Sequence, residues 1–147
     1  MVTAFWDSSA IVPLCLEQPS TPAARALTAQ FGLVVWWAAA VEVRSAIARL
    51  MRMRQISSRG QVQAILLLDQ LRTDWREIRP MDHVRERAEQ LLDRSPLHAA
   101  DALQLAASWI WCQGHPRNRR FISGDVQLLD AARKLGFTPL PVTVKEI

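Results

Sequence analysis

Four acidic residues stand where a folded chain could use them for chemistry. Asp7 ends the apolar, β-prone run Val2 to Trp6 and begins Asp7-Ser8-Ser9. Glu42, Asp101 and Asp125 each lie just after a strand-like run or in the first turn or two of a helix. Open α/β sheets bind ligands in the crevice outside the carboxyl ends of their strands, so a parallel sheet would bring all four acids to one edge. Carboxylates gathered there repel, and each raises its neighbours' pKa unless a positive charge sits among them. With no His or Cys near these positions, the donors are all oxygen, which favours a hard divalent ion, Mg²⁺ or Mn²⁺. The reaction such a site suits is phosphodiester hydrolysis. One ion, or two about 4 Å apart, lowers the pKa of a bound water, neutralises the phosphate and stabilises the leaving oxygen.

The elements that must position these acids follow from periodicity and punctuation. After the first strand, Ser9 to Glu17 reads as a short helix ended by Gln18-Pro19. Ser20-Thr21-Pro22 starts a second helix, closed by Gly32. Leu33 to Trp36 is a continuous apolar run, the pattern of a strand covered on both faces. Ala38 to Arg54 has no glycine or proline and is predicted helical, with Glu42 near its start. Ser58 and Gln61 form a capping box for a helix whose stripe is Val62, Ile65, Leu66 and Leu71. Trp75 to Arg79 is a third strand, Asp82 to Arg94 a helix, and Ala99 to Gln113 the helix carrying Asp101. Arg119 to Ser123 is the fourth strand, Val126 to Leu135 the last helix, and Thr138 to Val142 a proline-bearing strand that must lie at an edge. Helices closed by Gly32, Gly114 and Gly136 before strands are the punctuation of crossovers in a parallel sheet. The expected fold is a three-layer α/β/α domain over 1–147 with a central, mostly parallel sheet of four or five strands.

Composition narrows the class. A chain of 147 residues, 50% hydrophobic and 22% charged, is one ordinary globular domain that needs no staples. No apolar run approaches a membrane span and no basic stretch precedes an apolar one at the start, so a cytoplasmic protein is expected. Cys15 and Cys112 lie among apolar neighbours and read as buried thiols. The formal charge is +4, and Lys134 and Lys145 are the only lysines, so arginine supplies nearly all the positive charge. That is a mild pull towards polyanions.

The residues also carry a resemblance. FWDSSAIVPLCLEQ is similar to the first motif of the PIN-domain family, and in particular of the small VapC-like ribonuclease toxins of bacterial toxin-antitoxin pairs. Glu42 in AAAVEVRSAIARL resembles that family's helical glutamate, LHAADALQLAAS its most recognisable stretch around Asp101, and FISGDVQLLDAARKLGF its last motif with Ser123 and Asp125. The four occur in the family's order and cover essentially the whole chain. The resemblance implies a Mg²⁺- or Mn²⁺-dependent endoribonuclease that forms a homodimer and is silenced by a cognate antitoxin. Asp7, Asp101 and Asp125 would hold the metal directly or through water. Glu42 would bind it through water or orient the attacking water, and Ser9 and Ser123 would place hydroxyls on carboxylates or phosphate. Gln127 stands where members often carry a further acid, and Asp130 is three residues further on, so a second metal position would be weak.

Each residue has a plainer reading. Asp7 and Asp125 could be helix caps, Asp101 a macrodipole residue and Glu42 a solvated one. His98 could touch substrate but reads better as capping or packing, and His83 and His115 as surface residues. Trp6, Trp36, Trp109 and Trp111 read as core, whereas Trp37 beside the site is a candidate for base stacking. Arg44, Arg49, Arg52, Arg54 and Arg59, with Arg117, Arg119 and Arg120, would be solvated or would meet RNA and the antitoxin's acidic segment. The rival from another class is a non-catalytic nucleic-acid- or protein-binding module on the same fold. A receiver or aspartyl-phosphate phosphatase is opposed by Ser9, two residues after Asp7, and by the lack of a suitable lysine.

Overall fold

Alternation along the first strand already divides the interior in two. In β1 (Thr3–Trp6), Ala4 and Trp6 enter one core and Phe5 the other, all three fully buried. In β2 (Gly32–Trp36) and β4 (Arg120–Ser123), Val34, Trp36 and Phe121 join Phe5, while Val35 and Ile122 join Trp6. A period of two with both parities apolar is what a doubly covered strand requires. With β3 (Arg76–Ile78) and β5 (Thr138–Pro141) these strands form a five-stranded sheet, every pairing parallel, in the order β3-β2-β1-β4-β5. The computed structural model describes residues 1–142, so the last five of the expected domain, Lys145 among them, lie outside the described residues.

The helices take opposite faces for a reason of handedness. From β1 the chain steps outward to β3 through α1 (Ser8–Cys15), α2 (Thr21–Thr28), α3 (Ala39–Arg52) and α4 (Ser58–Asp74), which bring Ile11, Ala24, Val43, Ile47 and Leu68 onto the Trp6 side. It then crosses to β4 and β5 through α5 (Asp82–Arg94), α6 (Ala99–Trp111) and α7 (Val126–Leu135), which bring Val84, Leu91, Leu105 and Leu128 onto the Phe5 side. Right-handed crossovers running in opposite directions place their helices on opposite faces. The result is the expected three-layer α/β/α architecture. Cys15 and Cys112 are free and buried as expected, and burial pushes the Cys15 thiol up to about 12. Among the described residues no helix is long and apolar enough to cross a membrane.

Several local expectations shift. Ser57, not Ser58, caps α4, its Oγ accepting from Gly60 N at 3.0 Å. The buried row of α4 is Ala64 and Leu68, with Leu67 and Leu71 partly covered, whereas Val62 and Leu66 are exposed. Both sets are spaced i, i+4, and packing against α1 and α3, not periodicity, chooses between them. Gly32 is not a left-handed cap. It opens β2, its N–H donating to Val2 O at 2.8 Å, while α2 ends at Thr28. Gly136, with φ of 111°, is the left-handed cap of α7. Trp109 is only partly buried and carries the Arg87 guanidinium 4.1 Å from its ring centroid.

Edge strand β5 pairs Pro139 with Phe121 and Pro141 with Ser123. Thr138 N and Val142 N donate to Arg119 O and Ser123 O, at 2.8 and 2.9 Å.

Candidate active site at the carboxyl edge of the sheet

The strand order reverses between β1 and β4, and a doubly wound sheet opens its crevice there. Asp7 is the residue after Trp6, and its N–H donates to Ile122 O at 2.9 Å, which holds it against the end of β4. Ser123 closes β4 and Asp125 is the N-cap of α7. Glu42 enters from the first turn of α3 and Asp101 from the first turn of α6, helices on opposite faces of the sheet.

Asp7 is only 3% exposed. Its Oδ2 accepts from the hydroxyls of Ser9 and Ser123, the latter at 2.8 Å, and the two hydroxyl oxygens are 3.2 Å apart. Each serine in turn accepts a backbone N–H, Ser9 from Gly124 at 2.8 Å and Ser123 from Asp125 at 2.9 Å. Bonds that run N–H to hydroxyl to carboxylate polarise one another and fix the orientation of Asp7. Asp7 occupies the N-cap position of α1 but makes no side-chain cap bond there, so capping does not account for it. Asp125 does cap: its Oδ1 accepts from Gln127 N at 2.9 Å and Leu128 N at 3.2 Å. Its Oδ2 accepts no hydrogen bond among the described residues.

Glu42 is held by two residues that the sequence pattern did not single out. Gln104 Nε2 donates to Glu42 Oε1 at 2.9 Å, and Ser8 Oγ lies 3.4 Å from Glu42 Oε2 and 3.5 Å from Asp7 Oδ1. Gln104 is fully buried, and its Oε1 has no hydrogen-bond partner among the described residues. The available signal was position: Gln104 lies three residues after Asp101, on the same helix face and amid apolar neighbours.

The charges interact as a group. Burial raises the pKa of Asp7; the Ser9 and Ser123 hydroxyls oppose that rise, and the charge of Asp125 adds to it. Burial pushes Glu42 up to about 7, helped by the charges of Asp7 and Asp101 and opposed by Gln104 and Ser8. Asp101 is raised by burial and then by Asp125 and Asp7, with His98 pulling it down. All four expected acids therefore meet at one edge, within range of one another's fields. The ion pairs found among the described residues involve other acids, so no lysine or arginine neutralises the four. As placed, no three acid, histidine or cysteine side chains among the described residues are gathered closely enough to hold an ion between them. Asp7, Asp101 and Asp125 thus share one rim and feel one another's charge without forming a closed cage. The donor set still fits a hard divalent cation, being all oxygen, uncompensated in charge and partly withdrawn from water.

The surrounding residues sort cleanly. Asp130 is turned away and paired with Arg133 and Lys134 at 2.8 and 3.0 Å. Gln127 is exposed. His98 sits at the N-cap of α6, exposed and without a side-chain cap bond. Arg44, Arg49, Arg52, Arg54 and Arg59 are all exposed, whereas Arg119 and Arg120 lie over the rings of Trp111 and Phe31, at 5.1 and 5.5 Å.

Fold and site together define a doubly wound α/β/α domain with four acids on the rim where its strand order reverses. No family model matches this chain, and no curated protein matches it. Among solved structures it is similar to PAE2754 from Pyrobaculum aerophilum, with a TM-score of 0.62 and 16% identity over 94% of this chain and 89% of that one. At that identity the likeness is one of fold.

Proposed function

We propose that the protein is a metal-dependent endoribonuclease of PIN-domain type, hydrolysing RNA phosphodiester bonds with Mg²⁺ or Mn²⁺. The observation that carries this reading is the meeting of four carboxylates from four separate segments, none of them in an ion pair with a lysine or arginine among the described residues. Asp7, Asp101 and Asp125 would hold the ion, directly or through water. When bound, the ion supplies positive charge against the phosphate and a water of lowered pKa. Glu42, held near neutrality by burial and by Asp7, is suited to orient that water and take up its proton. Gln104 occupies Oε1 of Glu42 and leaves Oε2 to face the pocket with Ser8. Ser9 and Ser123 hold Asp7 in place while it carries charge.

RNA as the substrate rests on the resemblance of the four motifs, as do a role as the toxin of a toxin-antitoxin pair, a cognate antitoxin and a homodimer; a cytoplasmic location rests on the lack of a membrane-span or signal-like run in the sequence. The capping bonds of Asp125 favour a second reading, a non-catalytic binding module in which the acids serve the fold. Incubation of the purified protein with single-stranded RNA separates the two. Cleavage that requires Mg²⁺ or Mn²⁺, stops in EDTA and is lost in Asp7→Asn and Asp101→Asn is the expected result. Binding without metal-dependent cleavage would establish the second reading instead.

A further inference from the structure

We infer that the groove at the carboxyl ends of β2 and β3, lined by Trp37, Arg44 and Arg72, is a subsite for one unpaired nucleotide of single-stranded RNA, with the base on Trp37 and the phosphate on the arginines. This deepens the proposed function and rests on it for the choice of polymer.

Trp37 is the one tryptophan of six left exposed, at 46%. Its backbone is tied to the sheet. The main-chain N–H of Trp37 donates to Ile78 O at 3.0 Å, and Trp36 packs edge-on against its ring, with centroids 6.5 Å apart and planes at 70°. An indole presented to solvent at the carboxyl edge of the sheet is a ready face for stacking. The groove it borders has a volume of about 360 Å³ and is completed by Ala40, Val41 and Glu77. That is within the range of small-ligand sites, roughly 300–1,000 Å³.

The charges in the groove favour a nucleotide over an apolar partner. Arg44 and Arg72 are exposed and form no ion pair among the described residues. Glu77, the one acid there, is already engaged, accepting from Trp75 Nε1 at 3.0 Å and lying 3.6 Å from Arg79. An aromatic face flanked by two guanidiniums that form no ion pair among the described residues matches a base and its phosphate. The location also fits. The groove opens at the carboxyl ends of β2 and β3, the same rim of the sheet on which Asp7 follows β1.

The test is binding in EDTA, where no cleavage occurs, of a short fluorescein-labelled single-stranded RNA and of the same strand in a duplex. Trp37→Ala should weaken single-strand binding about tenfold, Trp37→Phe should restore most of it, and duplex binding should change little. Arg44→Ala with Arg72→Ala should lower the slope of log affinity against log salt by about one. Unchanged single-strand affinity in Trp37→Ala would overturn the inference. So would equal losses on single strand and duplex, or a loss confined to self-association measured by sedimentation. Cleavage assays separate this from the hydrolytic reading: a Trp37-dependent binder that never cleaves keeps the subsite and loses the nuclease, and a nuclease indifferent to Trp37 does the reverse.

Discussion

The two ends of the sheet differ in chemical character. At the amino ends of the strands lies a largely apolar hollow of about 610 Å³, lined by Leu14, Phe31, Leu33, Leu67, Leu71 and Trp75 among others. It holds one acid, Asp74. At the carboxyl ends four carboxylates, three serines and a buried glutamine come together, and burial and mutual repulsion shift three of the acids. Strand polarity explains the asymmetry, since in parallel sheets of this order the strands stop and the helices begin on the same rim, where the chain can offer side chains without disturbing the core.

The sharpest way to break that contrast is to substitute one residue at each end. Asp101→Asn should lower kcat/KM for metal-dependent RNA cleavage by about 10²-fold or more, because a ligand and a charge are lost together. Leu71→Ala, at the other end, should lower the melting temperature by a few degrees and leave kcat/KM within about twofold. Equal effects of the two on cleavage would dissolve the distinction.

The next effect is on stability. Glu42's carboxyl titrates near 7 in the fold against an ordinary 4.5, so the folded state binds its proton more tightly than the unfolded one. Metal-free stability should therefore fall as pH rises from about 4.5 to 7, with the full penalty present above that range. Glu42→Gln should remove much of the slope, worth about 1–3 kcal/mol, as measured by urea unfolding across the window. A flat profile in the unaltered protein would show that the acids are better solvated than their burial indicates.

Metal provides a milder probe. Mg²⁺ or Mn²⁺ at about ten times its Kd should add about 1.4 kcal/mol by mass action, a rise of a few degrees in calorimetry that Asp7→Asn abolishes. The smallest effect expected is at Gln104. Gln104→Met keeps the volume but removes the donor to Glu42, so kcat should drop about tenfold or less with KM little changed, and the acid limb of the pH-rate profile should move up. A pure packing role would leave that limb where it was.

Much of this architecture was legible in the sequence because local and global signals agreed. Both parities of Phe5-Trp6, Val34-Val35 and Phe121-Ile122 are apolar, which already demands helices on two faces, and the acids follow the strands that they must follow in a parallel sheet. What was not legible depended on tertiary choice. The row Val62 and Leu66 is as apolar as the row that α4 buries, and only docking on α1 and α3 decides between them. Gly32 sits between a helix and a strand, and nothing in its neighbours says that the helix has already ended. Ser8 and Gln104 escaped notice because a serine beside an acid and a glutamine in an apolar helix are ordinary until Glu42 arrives from another face. The four acids were found by order and position; the hydrogen bonds that hold them were not.

The last strand carries a consequence for how copies of this protein can meet. In a parallel strand alternate residues turn their N–H groups to opposite sides. Thr138 and Val142 donate inward to β4, so positions 139 and 141 face the open margin, and both are proline. That margin offers no amide hydrogen to an incoming strand, which makes β5 a poor template for runaway sheet extension. The opposite margin, β3, is three residues long and bears Arg76 and Glu77. Over the described residues, neither margin of the sheet invites another strand.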